Sequence, residues 1–579
     1  MIILNVEKYI KNRRKIKLFI GIASTLLVVL LNACSGGDGD QPRVMTPEAC
    51  GALANQKIPA ASIGLPTTGG VVTAVQWVTA SGTGASALPD YCLVSGNITP
   101  VDSMAWNIQF QIALPSSASW NKKVVMFGGG GYDGSIPNVK GNPLNNDPTK
   151  LTPLGKGYAV FGSDGGHQNA SLPESAAFTG NQEAYRNWMG DALKKTRDTA
   201  IYVMNLAYGS APTKSYFIGS SGGGHEALTV ASRFSADWDG VVSQYPGCTW
   251  TTTMLAGVRA TQAFAASGAY PNFAKRGVLR SAALAVCDAL DGVSDGLIGN
   301  VRACNSAFDP STALLNGVPV RCAGGADTGD TCLSDAQINA LKVMNNPITF
   351  NFSLASGETS WPGWPVFTSD LGIPSTNPYE AYVAYLALGS VAPGWPVTSS
   401  MWFGAGILDG WLRYAVTGNQ SFNYLTLDPV NPGAYASRLS ELSAIDAEHE
   451  NLSAFQAKGG KLIILHGQED MAVSPRTSEA FYQRQIATLG ADKVDMFLRY
   501  YQVPGFAHSI STTFYAAWDQ LGAIENWVEK GLDPAENLVV TDIMGVPGRT
   551  RPLCLYPKWP KYKGSGDVHS ATSYTCAAY

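Results

Sequence analysis

Ser215-Tyr216-Phe217-Ile218-Gly219-Ser220-Ser221-Gly222-Gly223-Gly224 joins a short apolar run to a helix-like segment, Glu226 to Phe234, through a turn rich in glycine. The run before Gly219 has the length and texture of a buried strand. Gly219 to Gly223 satisfies Gly-x-Ser-x-Gly, and between a strand and a helix that pattern is a sharp turn with its serine at the tip. Glycine is needed there because strand and helix lie too close for side chains. Ser221 is the candidate nucleophile, and Ser220 is in the wrong register. The N–H of Gly222, at the start of the helix, is placed to stabilise an oxyanion.

Outward from this turn, Val124-Val125-Met126-Phe127 and Tyr158-Ala159-Val160-Phe161 read as buried strands. Gly190 to Tyr208 reads as a helix with an apolar stripe, and Lys461-Leu462-Ile463-Ile464-Leu465 as a later strand. Strands alternating with helices predict an α/β fold with a mostly parallel sheet covered on both faces. Between residues 250 and 450 the texture changes to Pro, Trp, Gly and Cys with weak periodicity. That stretch is expected to be an inserted domain between two parts of one α/β domain, 46–249 and 451–579. The 579 residues are 45% hydrophobic and only 15% charged, which excludes disorder over most of the length. A net charge of -4 offers no field for a polyanion, so no nucleic-acid partner is expected.

A carboxylate and then a histidine should follow the serine. Leu465-His466-Gly467-Gln468-Glu469-Asp470 sets two acids just after a buried strand. Asp470 is preferred to Glu469 because it precedes Met471-Ala472-Val473, where the loop turns back. Val503-Pro504-Gly505-Phe506-Ala507-His508 puts a histidine on a turn. His508 is the expected base, with Asp470 fixing its tautomer. His167, His225 and His466 read as satisfied or solvent-facing side chains. Gly128 to Gly134 follows an early strand, where a second oxyanion donor arises; Gly131 is the choice, with Gly130 close behind. The same glycines resemble a phosphate cradle, but no Gly-Lys-Ser/Thr ending follows.

At the N-terminus, Lys8, Lys11, Arg13, Arg14, Lys15 and Lys17 precede the apolar run Leu18 to Leu31. The run is shorter than the about 20 residues of a spanning helix and fits a secretory signal, 1–33. Leu31-Asn32-Ala33-Cys34 resembles a bacterial lipobox, so Cys34 is the expected lipidation site. Simple secretion with cleavage at a nearby small residue is the alternative. Residues 34–45 read as a tether, and the protein is expected on the outer membrane or elsewhere in the cell envelope, held only by the lipid. Cleavage before Cys34 leaves 34 basic and 43 acidic side chains, net -9. Export places the other nine of ten cysteines where disulfides persist.

Gly128 to Gly134, Ser163-Asp164-Gly165-Gly166-His167, the Ser221 stretch, Cys287 to Gly296 and Val503 to His508 together resemble the tannase and feruloyl esterase family, from about residue 45 to the C-terminus. The resemblance implies an α/β-hydrolase fold with a large lid domain, 250–450, between nucleophile and acid; 249 residues separate Ser221 from Asp470. It implies disulfides Cys50–Cys92, Cys287–Cys304, Cys322–Cys332 and Cys554–Cys576, leaving Cys248 alone. It also implies a structural Ca²⁺ in the lid, held by the side chains of Asp288, Asp291 and Asp295 and the carbonyls of Val293 and Leu297. Hard oxygen ligands at this density suit that ion; without the family match the run reads as a solvated acidic turn. No organic cofactor is implied, and no His-x-x-x-His or Cys-x-x-Cys pattern suggests zinc. The family usually carries cysteines immediately before the nucleophile and immediately after the histidine, joined to each other. Here those positions are Ser220 and Ser509. Loss of both together keeps the alignment and predicts a substitute hydrogen bond or packing contact.

The insertion is rich in rings: Trp361, Trp364, Phe367, Trp395, Trp402, Phe403 and Trp411. They could line a slot for a flat acyl group or form the insertion's own core. Trp395 and Arg413 are the candidate substrate contacts, the guanidinium being able to grip a carboxylate bidentately, although a structural salt bridge is the preferred reading for Arg413. The expected function is an exported, monomeric serine esterase acting on small aromatic esters of feruloyl, galloyl or mono(2-hydroxyethyl) terephthalate type. The alternatives are a surface protein of this fold that binds aromatic ligands without turnover, and a peptidase.

Overall fold

The computed structural model describes residues 43–579 except 170, 375, 447–449 and 536. The signal segment, Cys34 and the tether up to residue 42 lie outside the described residues. Ten strands build the central sheet: β1 Lys57–Ile58, β2 Gly69–Val78, β3 Tyr91–Thr99, β4 Ile108–Pro115, β5 Lys123–Phe127, β6 Ala159–Ser163, β7 Lys214–Ser220, β8 Gly240–Gln244, β9 Lys461–Gly467 and β10 Leu498–Val503. Their order is β1-β2-β3-β4-β6-β5-β7-β8-β9-β10.

From β6 to β10 the pairing is parallel, whereas β1 to β4 and the β4–β6 join are antiparallel. The sheet is therefore mixed: the expected parallel part, β6 to β10, is extended by an antiparallel part, β1 to β4. Parallel neighbours need a crossover element, and among the described residues no α-helix separates β1 from β4. In the parallel half, successive side chains go to opposite layers. Val124, Met126, Phe217, Val241, Leu462 and Ile464 join one apolar cluster. Val125, Phe127, Ile218, Val242, Ile463 and Leu465 join the other. Burial on both faces is why these strands read as unbroken apolar runs.

The helices that matter for the site are α1 Ala192–Tyr208, α2 Gly222–Arg233, α3 Trp250–Ala265, α4 Phe273–Cys287 and α5 Phe403–Trp411. The helix expected from Gly190 begins at Ala192, because residues 187–191 form a wider turn in which Gly190 leaves helical φ. The insertion leaves the sheet after β8 and returns at β9. Its apolar core takes in Trp361, Trp364, Trp402 and Trp411, all nearly inaccessible, and extends to Tyr132, Phe178, Tyr185 and Trp188. A core shared in this way makes residue 250 a boundary of chain order rather than of packing. The four implied disulfides are present, and Cys248 is a buried free thiol.

Candidate active site

Ser221 stands where β7 gives way to α2, at φ 61° and ψ -119°. Such a conformation costs a non-glycine residue of order 1–3 kcal/mol. It persists because its flanks cannot move: a Cβ on Gly219 would lie 2.0 Å from the Gly223 carbonyl oxygen, and one on Gly223 2.6 Å from that of Gly129. The tight turn leaves the serine hydroxyl facing His508, whose Nε2 is 2.8 Å from Ser221 Oγ. His508 Nδ1 lies 2.7 Å from Asp470 Oδ2. A carboxylate only accepts, so Nδ1 carries the hydrogen and Nε2 is the nitrogen that can accept from serine.

Asp470 is fully buried at the end of β9. Its Oδ1 accepts from the N–H groups of Ala472 and Val473 at 2.9 and 2.8 Å. Its Oδ2 has a second histidine, His466 Nε2, at 3.3 Å. Burial alone would raise this carboxyl, but the adjacent charge of His508 and hydrogen bonds from both histidines bring it down to about 2. Glu469 turns the other way, into an ion pair with Arg280 of α4 at 2.7 Å. That separation distinguishes the two acids. His466 is satisfied, with Nε2 3.0 Å from the Val473 carbonyl oxygen and Nδ1 2.8 Å from Ser478 Oγ. His167 meets the Tyr132 carbonyl at 2.6 Å and stacks on Phe178. His225 lies within α2, its Nε2 3.5 Å from Thr229 Oγ1.

Gly131 has φ 60° and lies beside Gly222: a Cβ on the latter would sit 3.1 Å from the Gly131 nitrogen. Gly222 is the first residue of α2, where N–H groups have no intrahelical partner. Both residues border the cavity at Ser221, whose walls include Trp250, Met254, Phe403 and Ile407. The site thus sits beyond the carboxyl ends of the parallel strands, where open α/β sheets bind ligands. Trp395 and Arg413, the two sequence-based substrate contacts, are not among the lining residues. Trp395 is 44% exposed on the surface. Arg413 is engaged by Asp409 at 3.2 Å and Glu174 at 3.6 Å. Of the seven rings singled out in the insertion, Phe403 lines the cavity; Trp250, the first residue of α3, lines it too but precedes the aromatic-rich stretch that begins at Trp361.

The family model for tannase and feruloyl esterase matches residues 92–577. The chain belongs to the tannase and feruloyl esterase family. It is a carboxylic ester hydrolase. An uncharacterized esterase of Agrobacterium fabrum is 36% identical over 91% of this chain and 93% of its own. The mono(2-hydroxyethyl) terephthalate hydrolase of Piscinibacter sakaiensis is 30% identical over 85% of this chain and 86% of its own. In fold, the chain is similar to feruloyl esterase B from Aspergillus oryzae, at TM-score 0.71 and 22% identity over 92% of this chain and 99% of that one.

Where this family usually has its cysteine pair, Ser220 and Ser509 are tied by other means. Ser220 Oγ accepts from Gln244 Nε2 at 3.0 Å, and Gln244 Oε1 accepts from Trp518 Nε1 at 3.0 Å. Asn145 Nδ2 donates to the Ser509 carbonyl at 3.0 Å, while Asn145 Oδ1 accepts from the Tyr245 hydroxyl at 2.6 Å. The Tyr245 ring packs edge-on against His508 at 4.8 Å.

The acidic loop after α4 supplies only oxygen donors, a chemistry that fits calcium. Asp288 accepts from the N–H groups of Asp295 and Gly296, and Asp291 from those of Val293 and Gly299. Asp295 also pairs with Arg551. Burial, with Asp295 and Asp288 nearby, pushes the Asp291 carboxyl up to about 7 despite hydrogen bonds from Val293 and Gly299. Among the described residues no three such side chains converge closely enough to grip an ion as they stand. Leu297 of this loop packs beneath the His508 turn, where a Cβ on Gly505 would lie 2.5 Å from its side chain.

Proposed function

We propose that this esterase cleaves aromatic carboxylic esters through an acyl-enzyme on Ser221. The reading rests on the hydrogen-bonded series Ser221–His508–Asp470 beside a cavity walled by Trp250 and Phe403. Ser221 Oγ attacks the ester carbonyl while His508 Nε2 takes its proton, and Asp470 stabilises the imidazolium. The N–H groups of Gly131 and Gly222 receive the oxyanion. His508 then gives the proton to the departing alcohol. Water, activated by the same nitrogen, releases the acid and restores the serine. The insertion acts as a lid that walls the acyl group from solvent.

Ser221→Ala should lower kcat by about 10⁶ on methyl ferulate, methyl gallate and mono(2-hydroxyethyl) terephthalate. Turnover surviving in that variant sinks the assignment, and absence of a fluorophosphonate adduct on Ser221 in the native enzyme favours a binding protein instead. Export, with Cys34 as lipid anchor, is supported by the N-terminal sequence and by four disulfides. Mass spectrometry of the mature N-terminus tests it. The acidic loop is proposed to take calcium through Asp288, Asp291, Asp295 and the carbonyls of Val293 and Leu297. There the ion would neutralise crowded carboxylates and stiffen the support of the His508 turn.

A further inference from the structure

Two acids that take no part in these steps lie directly beneath the glycine loop. Glu226 is on α2, little more than one turn past Ser221, and is 5% exposed. Its Oε2 accepts from the Gly129 N–H at 2.9 Å. Asp133, 8% exposed, closes the loop by donating its own N–H to the Gly130 carbonyl at 2.8 Å. The two carboxyls meet at the same glycine: Glu226 Oε2 is on the Gly129 N–H, and a Cβ on Gly129 would lie 2.6 Å from Asp133 Oδ1. The Asp133 carboxyl is boxed in by backbone, since a Cβ on Gly129 or on Gly165 would come within 2.6 Å of one of its oxygens.

A third acid, Asp164, lies close by and is occupied by the N–H groups of Gln109 and Gly166 and by the Gln168 amide. Neither Glu226 nor Asp133 is paired with a lysine or arginine among the described residues. Two touching carboxyls in such a place must hold one proton between them. Burial, with Glu226 and Asp164 close by, drives Asp133 far above the usual carboxylate range. Burial also raises Glu226, to about 7, although bonds from Gly129 and Asp133 oppose it. The Gly129 N–H already bonds to Glu226 Oε2, and a donor there favours the charge on Glu226, so the proton falls to Asp133.

We propose that Glu226 and Asp133 are positioning residues for the oxyanion loop. They tie the Gly129 peptide to the helix that begins at Ser221. Nucleophile and Gly131 N–H are thereby registered against one rigid element, and the distance between them is set by a hydrogen bond rather than by the loop. This inference rests on the oxyanion role given above to Gly131. It adds a requirement for a glutamate-shaped acceptor and a donor opposite it.

The test is steady-state kinetics on methyl ferulate with Glu226→Ala, Glu226→Gln, Asp133→Ala and Asp133→Asn, each accompanied by its melting midpoint. Removing one oxyanion donor typically costs about 10²-fold or more in kcat, and Glu226→Ala should approach that with KM within about twofold. Glu226→Gln keeps an acceptor for Gly129 and can donate to Asp133, so it should stay within about fivefold of the native kcat. Asp133→Asn keeps a donor and should do the same, whereas Asp133→Ala should lose kcat. Native kcat in a folded Glu226→Ala or Asp133→Ala overturns the proposal, as does a folded Glu226→Gln as impaired as Glu226→Ala. If Glu226→Ala does not fold, the Asp133 pair decides alone. Survival of turnover in Ser221→Ala is a separate result, and it removes the underlying mechanism rather than this refinement of it.

Discussion

The side-chain amide of Asn145 donates to the main-chain carbonyl of Ser509, the residue that follows His508, at 3.0 Å. The same amide donates to the Ala516 carbonyl at 3.0 Å, and its oxygen receives the Tyr245 hydroxyl. One buried asparagine thus holds the backbone next to His508 and the ring packed on that histidine. On the nucleophile side, Gln244 does the corresponding work for Ser220. Together they occupy the place of a covalent tie, with polar groups that are each satisfied.

Asn145→Ala leaves two carbonyls and the Tyr245 hydroxyl buried without this partner. An unsatisfied buried group costs about 1–3 kcal/mol, so urea unfolding should register a loss of at least that size. Looser seating of His508 should cut kcat by about 10- to 100-fold, measured on any ester the native enzyme accepts. Ser220→Cys/Ser509→Cys, judged by mass and by urea unfolding, should form the bridge and recover up to about 2–4 kcal/mol in the Asn145→Ala background.

The nucleophile turn, the acid and the histidine were legible because each announces itself locally: a glycine pattern, an acid after a strand, a histidine on a turn. Even the choice of Asp470 over Glu469 came from its neighbours in sequence. The bonds that hold them were not legible. Asn145 meets Ser509 across 364 residues, and Gln244 meets Gln520 across 276, so no spacing encodes them. Aromatic residues mislead for a related reason. Trp361, Trp364, Trp402 and Trp411 are core, while Phe403 faces the cavity; composition alone does not separate packing from binding.

Asp470 makes the folded state sensitive to acid. Its carboxyl is held near about 2, below the ordinary 3.8, so its contribution is fully present above about pH 4 and disappears as pH falls toward 2. That lowering corresponds to on the order of 2 kcal/mol. Stability measured between pH 6 and 2 should therefore fall more steeply for the native chain than for Asp470→Asn. That variant should also lose about 10⁴-fold in kcat, because an amide can favour the wrong histidine tautomer.

Calcium should stabilise the enzyme if the acidic loop binds it. At a free concentration about 100 times its dissociation constant, an ion bound only by the folded state adds about 2.7 kcal/mol. The melting midpoint should rise by a few degrees with calcium and return on chelation. Asp291→Asn should abolish that difference while leaving the chelated midpoint close to that of the chelated native chain. An equal calcium response in Asp291→Asn would locate the ion elsewhere.

The charge of the cavity wall orders the substrates. Lining residues at Ser221 include Trp250, Thr253, Met254, Phe403 and Ile407, and none of the described lining residues is charged. Arg413, the candidate partner for a carboxylated acyl group, is committed to Asp409 and Glu174. Burying an unpaired carboxylate costs several kcal/mol, and each 1.4 kcal/mol is about tenfold. A terephthalate monoester should therefore be handled at least about 10-fold less efficiently than methyl ferulate, by kcat/KM at one pH. Phe403→Ala should raise KM for methyl ferulate while changing that for an acetyl ester much less. Arg413→Ala should lower the melting midpoint and leave the ratio between the two aromatic substrates unchanged; a selective loss on the terephthalate ester would mean that Arg413 leaves its acids to meet the substrate.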